Sequence, residues 1–527
     1  MKIKTNRIED GSAISAMPWI LPVIVWFAVV AWRPWFTGFY HDDWTVLQPL
    51  SHGNALKLFE EQASRPIYAL LLVSVRLVLP MDPFYYQGLL VILLACSALA
   101  IGLFAQRLAN HFVVNTETAS WAGAVSASIW LATPWDLGVS VWPTTFPAQI
   151  SVIGFCIVGA ITLGNDSTRA KLEKALPTFL AISLISELFW LSFIPLTVLL
   201  IALGSGFIDW RKQKETVLLF VGFGAVQVFL GAFNRLLVFF DIGTNRSFNP
   251  SFIDTTLLSL RLLPSEFSRA VVFPQLMGSI VIFLLVGIVI CAIFHKKRNH
   301  VFGVLIGIGV GCLISTMLFA LARYRVESIG VFSRTTIVIT VWLSLIPALA
   351  IAVTEKVSSW IKWSLRGITI LLLVGFSLSS VINLQGWIRS WEFQKDLLRS
   401  FPAEEIVSEA EYDSFILVDA ARPENSVEGL EGFWDLGDAL LSQYPVLKVR
   451  IAREILPGRP RRFATVLDRN NKQTSWDGVE VVQSWCHSPN EALWRLPAPS
   501  QVYLWNYSAQ QFTRLDNPVQ LGCEKSR

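Results

Sequence analysis

Two adjacent carboxylates, Asp42 and Asp43, stand in the stretch Gly38-Phe39-Tyr40-His41-Asp42-Asp43-Trp44, where a first apolar run comes back out into water. A carboxylate in a sheltered cleft accepts the proton of a hydroxyl or amine as that group attacks, which is the work of a general base. Neighbouring side chains point apart, so one acid of such a pair can do the chemistry while the other orients it. The same pair also suits a plainer purpose: either aspartate can cap a helix beginning at Trp44, with the indole as an interface anchor. Both readings, and both aspartates, stay open at this level.

The elements that must position this pair are apolar. Of 527 residues, 53% are hydrophobic and 16% charged, and the mean hydropathy is +0.51, against roughly 25% charged residues in an ordinary soluble domain. The chain therefore reads as a polytopic membrane protein. Its formal net charge of +4 is small. The basic residues cluster beside apolar runs, as topology signals do, and no nucleic-acid module is present. The first apolar run, from Met17, lacks a small-x-small cleavage site, which makes it a retained span with a cytoplasmic N-terminus.

Apolar runs lie near 17–36, 84–105, 119–134, 144–163, 176–203, 216–240, 271–294, 301–322, 335–353 and 367–384. Most can cross a hydrocarbon core of roughly 30 Å. Pro66 to Leu79, interrupted by Arg76, is too short and is expected on the membrane surface. The run Leu176 to Leu203 has Glu187 near its middle and basic clusters on both flanks (Arg169, Lys171, Lys174; Arg211, Lys212, Lys214). Both flanks belong on the cytoplasmic side, so two short helices turning at Glu187 are expected, giving about eleven spans. A competing arrangement makes Pro66–Leu79 a span and 176–203 a single crossing, and it puts the Arg169–Lys174 cluster outside. In the preferred arrangement the remaining Lys-rich groups, His295–Arg298 and Lys356, Lys362, Arg366, fall inside. Residues 1–384 then form a membrane domain with a large first outer loop, 37–83, and residues 385–527 an extracytoplasmic α/β domain. In the latter, Phe415–Val418 and Gly478–Val482 read as strands and Gly437–Leu441 as part of a helix.

Apart from Lys57, the outer loops carry arginine: Arg65, Arg76, Arg246, Arg261, Arg269, Arg323, Arg325 and Arg334. The planar guanidinium grips phosphate or carboxylate with two parallel bonds, whereas an ammonium is a point charge. The bias points to a phosphate ligand. Arg323, Arg325 and Arg334 share one short outer loop and are the first candidates, with Arg246 second and Tyr324 beside them. His41, Trp44 and Arg65 are further candidates for a cleft. So are Asp136, otherwise a cap in a short outer loop, and Glu187, otherwise a solvated turn residue. Among six cysteines, Cys96, Cys156, Cys291 and Cys312 lie in apolar runs and are expected in the core. Cys486 and Cys523, alone in the polar region, suggest a disulfide in an oxidising compartment. Trp476, Trp485, Trp494 and Trp505 suit a core or an interface better than sugar stacking. No His/Cys/Asp cluster has metal spacing, so no cofactor is assigned. A divalent cation stays open without such support.

The acidic pair opening the first outer loop resembles the hallmark of the GT-C glycosyltransferases, such as the protein O-mannosyltransferases and the lipid A aminoarabinose transferases. His41-Asp42-Asp43-Trp44 looks like the wording of bacterial members, and Arg65-Pro66 resembles an Arg-Pro step later in the same loop. Ile185-Ser186-Glu187, followed by a leucine-rich run with Pro195, is similar to a Ser-Lys-Glu-type element, without the Lys. The resemblance implies a GT-C-like fold in a bacterial inner membrane. It also implies transfer of a sugar, with inversion, from a polyprenyl-phosphate donor to a glycolipid, envelope polysaccharide or protein outside. Asp42 or Asp43 would be the base, and the outer arginines would stabilise the departing phosphate.

Two rival functions fit the same composition. A transporter or flippase of a polyprenyl-linked intermediate would show internal repeats and broken helices at the midplane, and no clear repeat is seen. A non-catalytic assembly partner would have the acidic pair spent on caps.

Overall fold

The computed structural model describes residues 17–40, 43–50, 55–204, 214–240, 249–295, 297–355 and 357–402, and in the C-terminal region the strands given below with 439–440, 509 and 516–517. The chain divides into two compact units. One comprises Met1–Trp35 and Ala55–Leu384, the other Phe36–Asn54 and Gln385–Arg527.

The first unit is helical. Among the described residues nine helices are long and apolar enough to cross a membrane, from Met17–Trp35 to Ser359–Ser400. The two other spans expected from sequence are the helices Thr116–Ala132 and Thr168–Ile185, of 17 and 18 residues. Local chemistry starts these helices where the sequence allows. The Asp82 carboxylate accepts the Phe84 N–H ahead of Pro83–Ala109, Asn115 caps Thr116–Ala132 through Glu117 N, and Ser167 caps Thr168–Ile185 through Ala170 N. Small residues then let neighbours approach. A Cβ on Gly123 would lie 2.6 Å from the Gly102 carbonyl oxygen, so only glycine permits this crossing.

The run 176–203 breaks where Glu187 stands. Thr168–Ile185 ends, Ser186 accepts the Leu188 N–H to start the single turn Glu187–Phe189, and a new helix runs Phe193–Gly204. The chain also returns. Lys171 near the start pairs with Glu215, and the Ala202 carbonyl near the finish receives His300 Nδ1. The other basic loops gather at this end: Lys297 donates to the His111 carbonyl, Val114 and Asn115 N–H groups donate to Glu355 at 3.1 Å, and Lys362 donates to the Glu355 carbonyl at 3.1 Å. His111, surrounded by Lys297, Lys171 and His300, is held below its ordinary pKa first by burial and then by these charges. Pro66–Val78 is a separate helix of 13 residues.

Three features depart from the sequence reading. The helix that carries the last apolar run goes on past 384, from Ser359 to Ser400, because Gln385–Arg399 keeps good helix formers and lacks Pro or Gly except Gly386. An additional helix, Phe252–Arg269, buries Thr256 and Ser259 and leaves Ile253, Leu257 and Leu262 exposed. Its alternation of apolar and polar residues gave no apolar run to announce it. Cys96 is exposed rather than in the core, while Cys156 and Cys291 are buried and Cys312 intermediate. A lipid-facing helix surface is as apolar as an interior, so hydropathy cannot separate the two.

Among the described residues the second unit carries two four-stranded sheets. β1 (Ser414–Asp419) pairs in parallel with β2 (Ala464–Val466) and with β6 (Gln501–Asn506), and β7 (Gln511–Leu515) adds an antiparallel edge to β6. β3 (Lys472–Trp476), β4 (Glu480–Trp485), β5 (Ser488–Pro497) and β8 (Val519–Leu521) form an antiparallel sheet in the order β5-β4-β3-β8. β1 and β4 fall on the two strands expected from sequence. Of the expected helix 437–441 only Ala439 and Leu440 are described, and they are helical. Trp476, Trp485 and Trp494 lie on β3, β4 and β5, and Trp505 on β6 is a core residue, 2% exposed.

Candidate active site

The acidic turn belongs to the second unit. The helix Asp43–Leu50 begins one residue before Trp44. Asp43 is fully buried; its carboxylate accepts the Tyr40 N–H at 2.7 Å while its own N–H donates to the Tyr40 carbonyl at 3.0 Å. The two residues are thus joined by one side-chain bond and one backbone bond, and the Asp43 carboxyl lies in the first turn of the helix, the end that favours an acidic group. The Tyr40 hydroxyl in turn accepts the Gly38 N–H at 3.2 Å and donates to the Trp387 carbonyl at 3.0 Å. Burial, more than the nearby Asp43, pushes this phenol far above its ordinary pKa. Asp43 therefore fixes the backbone beside Asp42. Asp42 itself, His41, Arg246, Cys486 and Cys523 lie outside the described residues.

In the first unit the polar candidates converge on one loop, residues 133–145, between the helices Thr116–Ala132 and Phe146–Thr162. Ser333 Oγ accepts the Gly138 N–H at 2.6 Å, Thr336 donates to the Trp135 carbonyl, and the Trp135 indole donates to Thr340 at 3.0 Å. The turn Val331–Thr336 thus pins this loop through its hydroxyls and carries Arg334 to it. The Arg334 guanidinium lies 5.0 Å from the Trp142 ring and 5.3 Å from the Tyr324 ring, an aromatic clamp on a cation. Two residues past Trp142, the Thr144 carbonyl accepts the Tyr68 hydroxyl at 3.2 Å. Tyr68 supports Arg65, whose guanidinium carbon sits 4.7 Å over the ring, and Arg65 Nε lies 3.4 Å from Glu187. The loop therefore gathers Asp136, Tyr324 and Arg334 with Arg65 and Glu187.

Two expectations change. Glu187 is not simply a solvated turn residue: its side chain is 28% exposed and paired with Arg65, itself 16% exposed. Asp136 occupies the N-cap position of Leu137–Ser140, but its side chain makes no capping hydrogen bond. It is 3% exposed, and burial, opposed by Arg33, pushes its carboxyl up to about 7. Arg323 and Arg325 flank Tyr324 at exposed positions, Arg323 with a positive φ of 67°. Arg325 and Arg269 pull on Glu327, whose carboxyl burial and Glu266 raise.

The sequence reading missed Arg33. It is 2% exposed at the end of the first span, where Nε donates to the Val29 carbonyl at 3.1 Å and a terminal nitrogen to Ser140 Oγ at 3.0 Å. The signal was present as Trp32-Arg33-Pro34-Trp35, a charge enclosed by aromatic residues at a membrane boundary. Among the described residues no group of three or more His, Cys, Asp or Glu could hold a metal.

No family model matches the chain, and no curated protein does. Among the solved structures similar to it are two of one protein. ArnT from Cupriavidus metallidurans in the apo state has 12% identity and a TM-score of 0.44, covering 81% of this chain and 84% of its own. ArnT from the same organism bound to undecaprenyl phosphate has 12% identity and a TM-score of 0.42, covering 86% and 89%.

Proposed function

We propose that this chain is an integral membrane glycosyltransferase that moves a sugar from a polyprenyl-phosphate donor to a hydroxyl or amine of an extracytoplasmic acceptor. The observation that carries the reading is the Arg334 clamp between Trp142 and Tyr324 on the loop that also gathers Arg65 and Glu187. A partly enclosed guanidinium, preplaced by aromatic faces, is suited to the charge that grows on a departing phosphate. The lysine- and histidine-bearing loops gathered at the other end of the helices support assigning that end to the cytoplasm and the arginine end to the outside.

In this mechanism Asp42 is the base and Asp43 its positioning neighbour, since the Asp43 carboxylate already holds the Tyr40 amide. Asp42 takes the acceptor's proton as the acceptor oxygen or nitrogen attacks the first sugar carbon. The carbon–oxygen bond to phosphate breaks on the opposite face, so the configuration inverts. The bonding pair leaves with the polyprenyl phosphate.

The test is transfer of radiolabelled sugar from a polyprenyl-phosphate donor by purified protein in nanodiscs. Asp42→Asn should lower transfer about 100- to 10,000-fold with insertion intact, and near-normal transfer by this variant removes the base assignment. The break at Ser186–Ser192 is a feature that favours a flippase of a polyprenyl-linked glycan, because discontinuous helices line transport paths. Movement of an intact donor across liposomes, without release of polyprenyl phosphate, would decide for that alternative.

A further inference from the structure

The residues Thr37–Tyr40 that lead into the acidic turn form no helix or strand of their own, so side-chain contacts must set their path. Those contacts come from the far end of the helix Ser359–Ser400. A Cβ on Gly38 would lie 1.9 Å from Cδ2 of Trp391, so the indole closes over a position that only glycine can occupy. One turn earlier, Trp387 receives the Tyr40 hydroxyl on its carbonyl, and the two rings meet edge to face at 4.8 Å and 89°. One turn later, Gln394 Oε1 accepts the Trp44 indole N–H at 3.3 Å. An indole only donates, so this bond fixes which way the Gln394 amide points. Residues 387, 391 and 394 repeat at helical spacing and present one face. At the end of the same helix, buried Phe401 packs edge-on against buried Trp505 of β6, with ring centroids 6.1 Å apart.

From this chain of contacts we infer that Trp387, Trp391 and Gln394 are positioning residues for the acidic turn, and that the C-terminal domain anchors the helix that carries them. The inference rests on the proposed role of Asp42 and deepens it. The domain's contribution is mechanical: its sheet fixes the helix end, the helix fixes Gly38, Tyr40 and Trp44, and these fix the backbone on both sides of the acids. A displacement of about 1 Å at a reacting group can cost about 100-fold in rate, so loosening this face should act on turnover more than on donor binding.

The experiment uses the full chain in nanodiscs and reads two quantities: deuterium uptake by the peptide covering residues 36–47, and kcat and KM for transfer. Gly38→Ala should speed uptake about tenfold and lower kcat about 100-fold with donor KM changed less than about threefold. Trp391→Leu, which makes room for the added methyl, should restore both in the double variant to within about threefold. Gln394→Leu should speed uptake in the same peptide. Unchanged uptake in Gly38→Ala and Gln394→Leu overturns the contact, and faster uptake with unchanged kcat overturns the positioning role. Failure of the double variant to recover uptake also overturns it. If the unaltered protein transfers no sugar from any polyprenyl-phosphate donor, the glycosyltransferase reading fails, while uptake still decides whether the helix holds the turn.

Discussion

Asp136 makes a quantitative prediction. Its carboxyl is buried beside the buried Arg33, and desolvation outweighs the attraction of that cation, moving it from 3.8 to about 7. Between these values the folded chain keeps a proton that the unfolded chain has released. Stability must therefore fall as pH rises through this window and level off above it. Each unit is worth about 1.4 kcal/mol, and the folded group is already half ionised at the upper end, so raising the pH from about 5 to about 7 should cost about 2 kcal/mol through this group alone. Asp136→Asn keeps the shape and removes the titration. Unfolding by SDS titration in mixed micelles, run on both proteins at the two pH values, isolates the difference. The Asn variant should be flat where the unaltered chain slopes downward, apart from what other groups contribute equally to both. If both proteins show the same pH slope, Asp136 is ionised throughout as the partner of Arg33, and the assignment of burial as the dominant force is wrong.

Four further predictions address the site and its surroundings. Arg334→Lys keeps the charge but loses the planar group between Trp142 and Tyr324, so donor KM should rise about tenfold; an unchanged KM would place the donor phosphate elsewhere. In a double-mutant cycle of Arg65→Gln and Glu187→Gln, folding free energies should couple by about 1 kcal/mol, since the pair is only partly exposed, and simple additivity would make it incidental. Tyr40→Phe leaves the Gly38 N–H and Trp387 carbonyl without their shared hydroxyl and should destabilise the protein by about 1–3 kcal/mol in SDS titration; a loss near zero would mean water replaces it. Single cysteines at Asp166 and Arg323 in a background lacking other reactive thiols should label from opposite sides with an impermeant maleimide in intact cells or spheroplasts. Labelling from the same side would refute the assignment of the two helix ends.

What the sequence by itself determined is what depends on local composition. The apolar runs gave the spans, because leaving water rewards any long enough stretch regardless of its neighbours. The charges around 176–203 required the chain to turn at Glu187, and it does, at Ser186–Phe189. The β-rich pattern marked β1 and β4. Other decisions belong to residues far apart in the chain. Nothing near position 38 shows that its glycine answers to Trp391, or that Asp43 and Tyr40 share their hydrogen bonds within a turn seated on Trp387 and Gln394. Arg33 and Asp136 are separated by a hundred residues, and each alone looks like a boundary charge and a cap. Only packing removes the water around both and lets desolvation set the carboxyl's protonation. Burial and pairing at that range arise from which helices meet, and pattern along the chain carries no record of that.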